Sequence, residues 1–304
     1  MRILFLGGTR FVGLAMAREA LRRGHQVSVF HRGNHRPDGL QGATHLLGDR
    51  VSDVHLLAHD HWDAVVDVCA YRPHEIEVLG GILAERTSVY ALVSSVSVYA
   101  DDIPLRSRED AVRASTDILE GQDLRTVAID GATYGPLKVL CEDTVMERYP
   151  GHLIIRPSYV IGPDDYTQRF SSWVNRLAAG GVVDAPGPPE VPFQYIDVRD
   201  LAAFAVSALE ARLQGVFHVA APTHPYSFEQ MLMEVMQGVA PAGTQLRWLA
   251  PDEVSASGQS FPLWSGGASV GALAVDARAA FANGLVSRPL AHTARDVLQA
   301  STKI

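Results

Sequence analysis

Tyr134 and Lys138 stand four residues apart in the segment YGPLK. On a helix that spacing puts both side chains on one face. Pro136 is tolerated only in a first turn, so Tyr134 is expected at the helix start. A phenol is a weak acid, with a reference pKa of ~10. An ammonium beside it favours the phenolate. Such a pair suits proton transfer to and from a carbonyl or carbinol oxygen. Ser95, in VSSVSVYA at the end of an expected strand, can hydrogen-bond that oxygen. On the residues alone, Ser94 and Ser97 fit a strand-end role equally well.

A second group of residues offers an anion site. LGGTRFVG, residues 6–13, follows an apolar run and opens a helical one. Gly7 and Gly8 let the chain turn tightly against a pyrophosphate, and Gly13 lets the helix pack close to a sheet. Backbone N–H groups at the helix start and the helix dipole favour the anion. Arg10 takes the middle place of the usual glycine spacing, and Thr9, Phe11 and Val12 complete the loop. At the tip of the second expected strand the sequence is Phe30-His31-Arg32-Gly33, with Arg36 nearby and no acid. A carboxylate there would hold the ribose of NAD, whereas a guanidinium binds a 2′-phosphate through forked, charge-assisted bonds. Arg32 and Arg10 therefore favour NADP, with NAD as second choice.

These groups need a scaffold. Arg2–Leu6, Gln26–His31, Thr44–Leu47, Ala64–Cys69, Val89–Ser94 and Leu153–Arg156 read as strands. Helices are expected over Phe11–Arg23, 52–59, 74–85 and Tyr134–Arg148. The alternation, with strands apolar on both faces, predicts an α/β fold: a doubly wound parallel sheet that binds ligands at its carboxyl edge. Residues 101–130 break the rhythm and read as a long loop at the pocket mouth, able to serve as a lid. Beyond them, helices are expected at 169–179, 198–211, 227–237 and 289–301, with strands near Phe193–Ile196 and at 216–219. Trp173, Phe193 and Trp264 are candidate apolar pocket walls, although core packing explains each of them as well.

Composition narrows the function. With 26 Lys+Arg against 34 Asp+Glu, the net charge is -8. That balance argues against a nucleic-acid partner, which calls for a basic field or stripe. Cys69 and Cys141 have neither a disulfide framework nor metal-ligand spacing, and reduced cytoplasmic thiols are expected. His55, His59 and His61 lie near Asp60 and Asp63 but find no sensible fourth ligand, so no metal is expected. No apolar run approaches the ~18 residues of a membrane span.

With these residues in order, the chain resembles the extended short-chain dehydrogenase/reductases, the NAD(P)-dependent epimerase/dehydratase group. The likeness rests on the Gly7–Gly13 loop, SSVSVY at 94–99, YGPLK at 134–138, RPSYVIGP at 156–163, YIDVRD at 195–200, FHVAAP at 217–222 and ANGLVSRPL at 282–290. It implies a Rossmann-type domain over 1–165, with 193–218 returning to it. A smaller, partly interleaved substrate lobe would comprise 166–192 and 219–304. It implies a Ser95/Tyr134/Lys138 triad, Ser95 being preferred because it lies four residues before Tyr99. Asp49, Ala70, Lys138 and Pro157 join the glycine loop and Arg32 as implied cofactor contacts. A homodimer through the helices near 74–85 and 134–148 is also implied.

The departures from the family pattern carry information. Tyr159 stands where nucleotide-sugar members carry an asparagine, and no arginine lies near Phe193. Val96 and Ser97 follow Ser95, where sugar dehydratases carry an acid pair. The expected activity is NADP-dependent reduction or epimerisation of a small carbonyl/hydroxyl substrate. GGTRF loops mark an atypical branch that includes proteins similar to chloroplast RNA-binding members. A dinucleotide-sensing or RNA-binding protein without turnover is thus the alternative.

Overall fold

The computed structural model describes residues 1–35, 37–224 and 226–301. The elements run in the order β1 (Arg2–Leu6), α1 (Phe11–Arg22), β2 (Gln26–His31), β3 (Thr44–Leu47), β4 (Trp62–Asp67), α2 (His74–Leu83), β5 (Thr87–Val93), α3 (Tyr134–Arg148), β6 (His152–Pro157) and β7 (Tyr159–Ile161). They continue with α4 (Arg169–Ala179), β8 (Val182–Pro186), β9 (Tyr195–Asp197), α5 (Val198–Glu210), β10 (Gly215–Val219), α6 (Phe228–Val239), β11 (Gln245–Leu249), α7 (Pro251–Ser257), α8 (Arg278–Ala282) and α9 (Leu290–Ser301).

A seven-stranded sheet has the order β3-β2-β1-β4-β5-β6-β10. All of its pairings are parallel. The chain reverses direction across the sheet between β1 and β4, the switch point where doubly wound sheets bind ligands. Both faces are buried, as a parallel sheet requires. Ile3 and Phe5 of β1 join a core shared with α1 and α5. Leu4 and Leu6, pointing the other way, join a core shared with α2 and α3. This period of two along the strand lets one short apolar run serve two helical layers.

A separate core gathers around Trp173, Phe193, Phe228 and Met231, where α4, α6 and α9 pack together. Trp173 and Phe193 are fully buried there, and Trp264 packs against it at half exposure. All three are core residues, and none lines the cleft described below. Two parallel strand pairs, β8 with β11 and β7 with β9, flank this core. Strands β7, β8 and β11 escaped the sequence reading because short strands carry little periodicity.

The expected helix over 52–59 is only a 3-10 turn at Val54–Leu57. Segment 101–130 has one 3-10 turn, Asp117–Leu119, as expected of a loop. The segment is anchored, however. Ile103, Leu119 and Val127 are buried. The Arg106 N–H donates to the Ala274 carbonyl at 2.6 Å, and the Asp276 N–H to the Ser107 carbonyl at 2.9 Å. Between these anchors most of the segment is exposed.

Candidate active site

The carboxyl ends of the central strands open onto a cleft of about 1410 Å³. Gly7, Gly8, Thr9, Arg10, Phe11, Val12, Gly13, Arg32, Asp49, Ser95, Tyr134, Lys138 and Pro157 all line it. Ala70 does not. It is buried, and its carbonyl accepts a hydrogen bond from Lys138 Nζ at 3.0 Å.

The glycine loop is tightly determined. Gly7 and Gly8 have φ of +93° and +91°, which favours glycine. A Cβ on Gly13 would lie 2.7 Å from the Gly8 Cα, so α1 can pack against the loop only with glycine there. Arg10 has φ -143° and ψ 147°, ordinary extended backbone, which is why an arginine fits the middle position. The positive φ falls on Phe11 instead, at 37°. No side chain caps the start of α1. Its first-turn N–H groups therefore remain available to an anion in the cleft. This cradle fits a dinucleotide diphosphate. The Arg10 guanidinium stacks on the Tyr166 ring, 3.5 Å from its centroid.

At the far side of the loop, Arg32 is exposed just beyond β2 and makes no hydrogen bond or ion pair among the described residues. Asp49 is occupied locally. Its Oδ1 accepts from the Val51 N–H at 2.9 Å and the Ser52 N–H at 3.3 Å. The Val51 bond first, then the Ser52 bond and the nearby Arg32 charge, hold its carboxyl below the usual range against a modest burial effect. Arg36 lies outside the described residues.

The expected Tyr134/Lys138/Ser95 group sits where two strand ends meet a helix start. Tyr134 opens α3, with Pro136 in the first turn as expected. Lys138 is buried, and Nζ donates to the carbonyls of Ala70 and Val93 at 3.0 and 2.8 Å. An ammonium has three donors, so one is left for the cleft. Gly135 makes the approach possible. A Cβ there would lie 2.2 Å from the Ser97 carbonyl oxygen, so α3 rides directly on the turn after β5. Tyr134, the residue before Gly135, lines the same cleft as Ser95. Ser95 is half-buried on the cleft wall, and its Oγ accepts from the Ser97 N–H at 3.0 Å. Ser94 is buried, and its Oγ donates to Glu142 Oε1 at 2.5 Å.

Some residues of the site were missed from sequence. Tyr71 follows β4, with its ring centroid 6.3 Å from that of Tyr134 and 5.9 Å from Lys138 Nζ. Burial first, then the neighbouring phenols, pushes its hydroxyl up to about 12, so it stays a neutral donor. Behind Ser94 runs a buried polar chain. Arg156 donates to both oxygens of Glu142 at 2.9 and 2.6 Å, and its Nη1 donates to the Tyr99 hydroxyl at 2.5 Å and to the Glu109 carbonyl at 2.8 Å. The Tyr99 hydroxyl in turn meets His218 Nε2. His218 Nδ1 lies 2.9 Å from the Asp276 carbonyl, which accepts its proton and assigns the tautomer. Glu142 had a signal: it lies four residues after Lys138, one turn on.

The histidines considered for a metal do not converge. His61 Nε2 lies 3.4 Å from Arg86 Nη1, and Asp60 pairs with Arg2. No group of metal-ligating side chains forms among the described residues.

No family model matches the chain. Among curated relatives, the chain is 27% identical over 237 residues to the chloroplast stem-loop binding protein of 41 kDa b of Arabidopsis thaliana. That match covers 72% of this chain but only 58% of the plant protein. It is 23% identical over 245 residues to the epimerase family protein SDR39U1 of Bos taurus, covering 73% of this chain and 75% of that protein. The UDP-glucuronic acid 4-epimerase of Bacillus cereus, solved in complex with NAD, superposes with a TM-score of 0.71 at 15% identity. That superposition covers 100% of this chain and 99% of the other. The fold is that of the NAD(P)-dependent epimerase/dehydratase group. Likeness at this level concerns architecture. Tyr159 packs on Phe193 with centroids 5.6 Å apart. Among the described residues, no helix is long and apolar enough to cross a membrane.

Proposed function

We propose that the protein is a dinucleotide-dependent oxidoreductase or epimerase, with NADP preferred over NAD, acting on a small carbonyl or hydroxyl compound. One observation carries the reading. A lysine ammonium held between two strand-end carbonyls shares a cleft with Tyr134, Ser95 and an uncapped glycine-loop helix. The bound nicotinamide would supply or accept a hydride. Tyr134 moves the proton at the substrate oxygen. Lys138 offers its remaining donor to the cofactor ribose. Ser95 donates to the substrate oxygen and orients it. Arg32 takes the adenosine 2′-phosphate, and the Gly7–Gly13 loop takes the diphosphate.

In this reading residues 1–165, with 193–218, hold the dinucleotide. Residues 166–192 and 219–304 form the substrate side. The protein works in the cytoplasm as a homodimer through α2 and α3. The Bacillus 4-epimerase acts on a UDP-sugar, but Tyr159 in place of the family's asparagine and the lack of an arginine near Phe193 argue against a nucleotide-diphosphate sugar here.

Calorimetric titration with NADPH and NADH tests the proposal. Binding of either, tighter for NADPH, is expected, and affinity for neither refutes it. The plant relative named for stem-loop binding favours a second reading, an RNA-binding protein without turnover. The net charge of -8 and the filled triad weigh against it. Retarded migration of a stem-loop RNA by this protein, without dinucleotide turnover, would reverse that judgement.

A further inference from the structure

The cations of the cleft divide into those already satisfied and those left open. Arg50 is paired with buried Asp67 at 2.5 Å. Arg72 donates to the Val127 carbonyl at 2.8 Å and lies 3.9 Å from Glu75. Lys138 is held by its two carbonyls. Arg10, Arg32 and Arg169 line the cleft with no carboxylate partner among the described residues. Of the described carboxylates on the cleft wall, only Asp49 feels one of these charges, that of nearby Arg32, without pairing with it. Asp49 caps its own turn, Glu75 accepts from the Tyr71 N–H at 2.9 Å, and Asp101 accepts from the Ser269 hydroxyl. The body of the protein is acidic, so unpaired guanidiniums in its cleft mark where anions are drawn in.

Under the proposed function, Arg32 and Arg10 stand along the dinucleotide. Arg169 does not. It lies on the substrate side, at the first residue of α4. Its Nε donates to the Thr167 hydroxyl at 3.1 Å, and its guanidinium carbon lies 5.9 Å from the Tyr159 ring centroid. The Thr167 hydroxyl in turn donates to Asp165 Oδ1 at 2.6 Å, so a carboxylate stands one hydroxyl away, but Arg169 forms no ion pair and no Nη hydrogen bond among the described residues. Helix stability does not explain a cation there, because the positive end of the helix dipole disfavours it. The position makes sense if a ligand brings the negative charge.

We propose that Arg169 is the anchor for an anionic group on the substrate, so that the substrate class is a compact hydroxy- or oxo-compound bearing a carboxylate or a phosphate. The inference rests on the dinucleotide reading for the placement of the other cations. A planar fork of donors suits either oxyanion bidentately. On this side of the cleft, among the described residues, Arg169 is the arginine in the lining, beside Tyr159.

Calorimetry on the NADPH-saturated protein tests this, since the cofactor then occupies Arg10 and Arg32. Glycolate, glycerol 3-phosphate and neutral glycerol are titrated in turn. Binding of glycolate or of glycerol 3-phosphate, with glycerol silent, is expected, and the binder identifies the oxyanion. Arg169→Ala should weaken that binding about 10- to 100-fold, the range for a charged hydrogen bond, with NADPH affinity unchanged. Arg169→Lys, which keeps the charge and most of the stem, should recover part of the loss and guards against a folding artefact. Glycerol binding as well as either anion, neither anion binding, or full anion affinity in Arg169→Ala overturns the proposal. Repeating the titration without dinucleotide separates the two readings. Failure of NADPH to bind refutes the function, whereas Arg169-dependent anion binding stands without it.

Discussion

The floor and the rim of the cleft are built on opposite rules. On the floor, polar side chains are tied down. Lys138 is clamped by the Ala70 and Val93 carbonyls, and Ser94 by Glu142, which in turn is held by Arg156. On the rim, Arg10 has only an aromatic ring, Arg169 a ring and one hydroxyl, and Arg32 no hydrogen-bond or ion-pair partner among the described residues. The floor lies where strand ends converge and water is excluded, so an unpaired charge there would be costly. The rim is solvated, and a free guanidinium costs little until a ligand claims it. The floor thus sets what chemistry is possible, and the rim sets which molecules meet it.

Variants on the two surfaces should separate these roles. The largest effect belongs to the floor. Tyr134→Phe removes the hydroxyl proposed to transfer the proton and should lower turnover by about 10²–10⁴-fold, with dinucleotide affinity retained. Steady-state rates beside a binding titration check this, and undiminished turnover would break the assignment. Glu142→Gln keeps the shape but strands the Arg156 charge in the interior. A loss of about 3–5 kcal/mol in urea unfolding is expected, as for other broken buried pairs.

Rim variants should leave stability nearly untouched and change ligand choice. Arg32→Ala should weaken NADPH binding about 10- to 100-fold while NADH is unaffected, read as the ratio of the two dissociation constants. Equal losses for both cofactors would place Arg32 away from the 2′-phosphate. The smallest effect concerns Cys69, half-buried beneath the glycine loop. Burial pushes its thiol up to about 11, so at pH 8 on the order of one molecule in a thousand carries the thiolate. Labelling of the native protein by iodoacetamide should be slow at pH 8 and accelerate as pH rises towards 11. Rapid labelling at pH 8 would mean the loop opens to solvent.

Much of the floor was legible in the sequence because backbone geometry makes it. The YGPLK spacing, the proline in the first turn and the three glycines each have one structural use, and Tyr134–Arg148 is the observed helix to the residue. The Rossmann order follows from the strand–helix alternation, since parallel neighbours need crossovers of fixed hand. Tyr71 and the Arg156–Tyr99–His218 chain were not legible. Their partners lie far apart in sequence, and nothing local marks a tyrosine that will face a lysine 67 positions on. Ser94 and Ser95 show the boundary most sharply. They are the same residue type side by side. Residue chemistry could not separate them, and resemblance alone preferred Ser95. Both line the cleft, but the structure ties the Ser94 hydroxyl to buried Glu142 and the Ser95 hydroxyl to its neighbour Ser97 at 3.0 Å.

By itself, then, the sequence determined the sheet, the glycine turn and the tyrosine–lysine helix face, because those depend on periodicity and on conformations that only particular residues adopt. Tertiary structure decided which cations stay unpaired and which serine hydroxyl is bound to a buried carboxylate. Those outcomes depend on whether a distant segment delivers a countercharge, and local spacing carries no record of that.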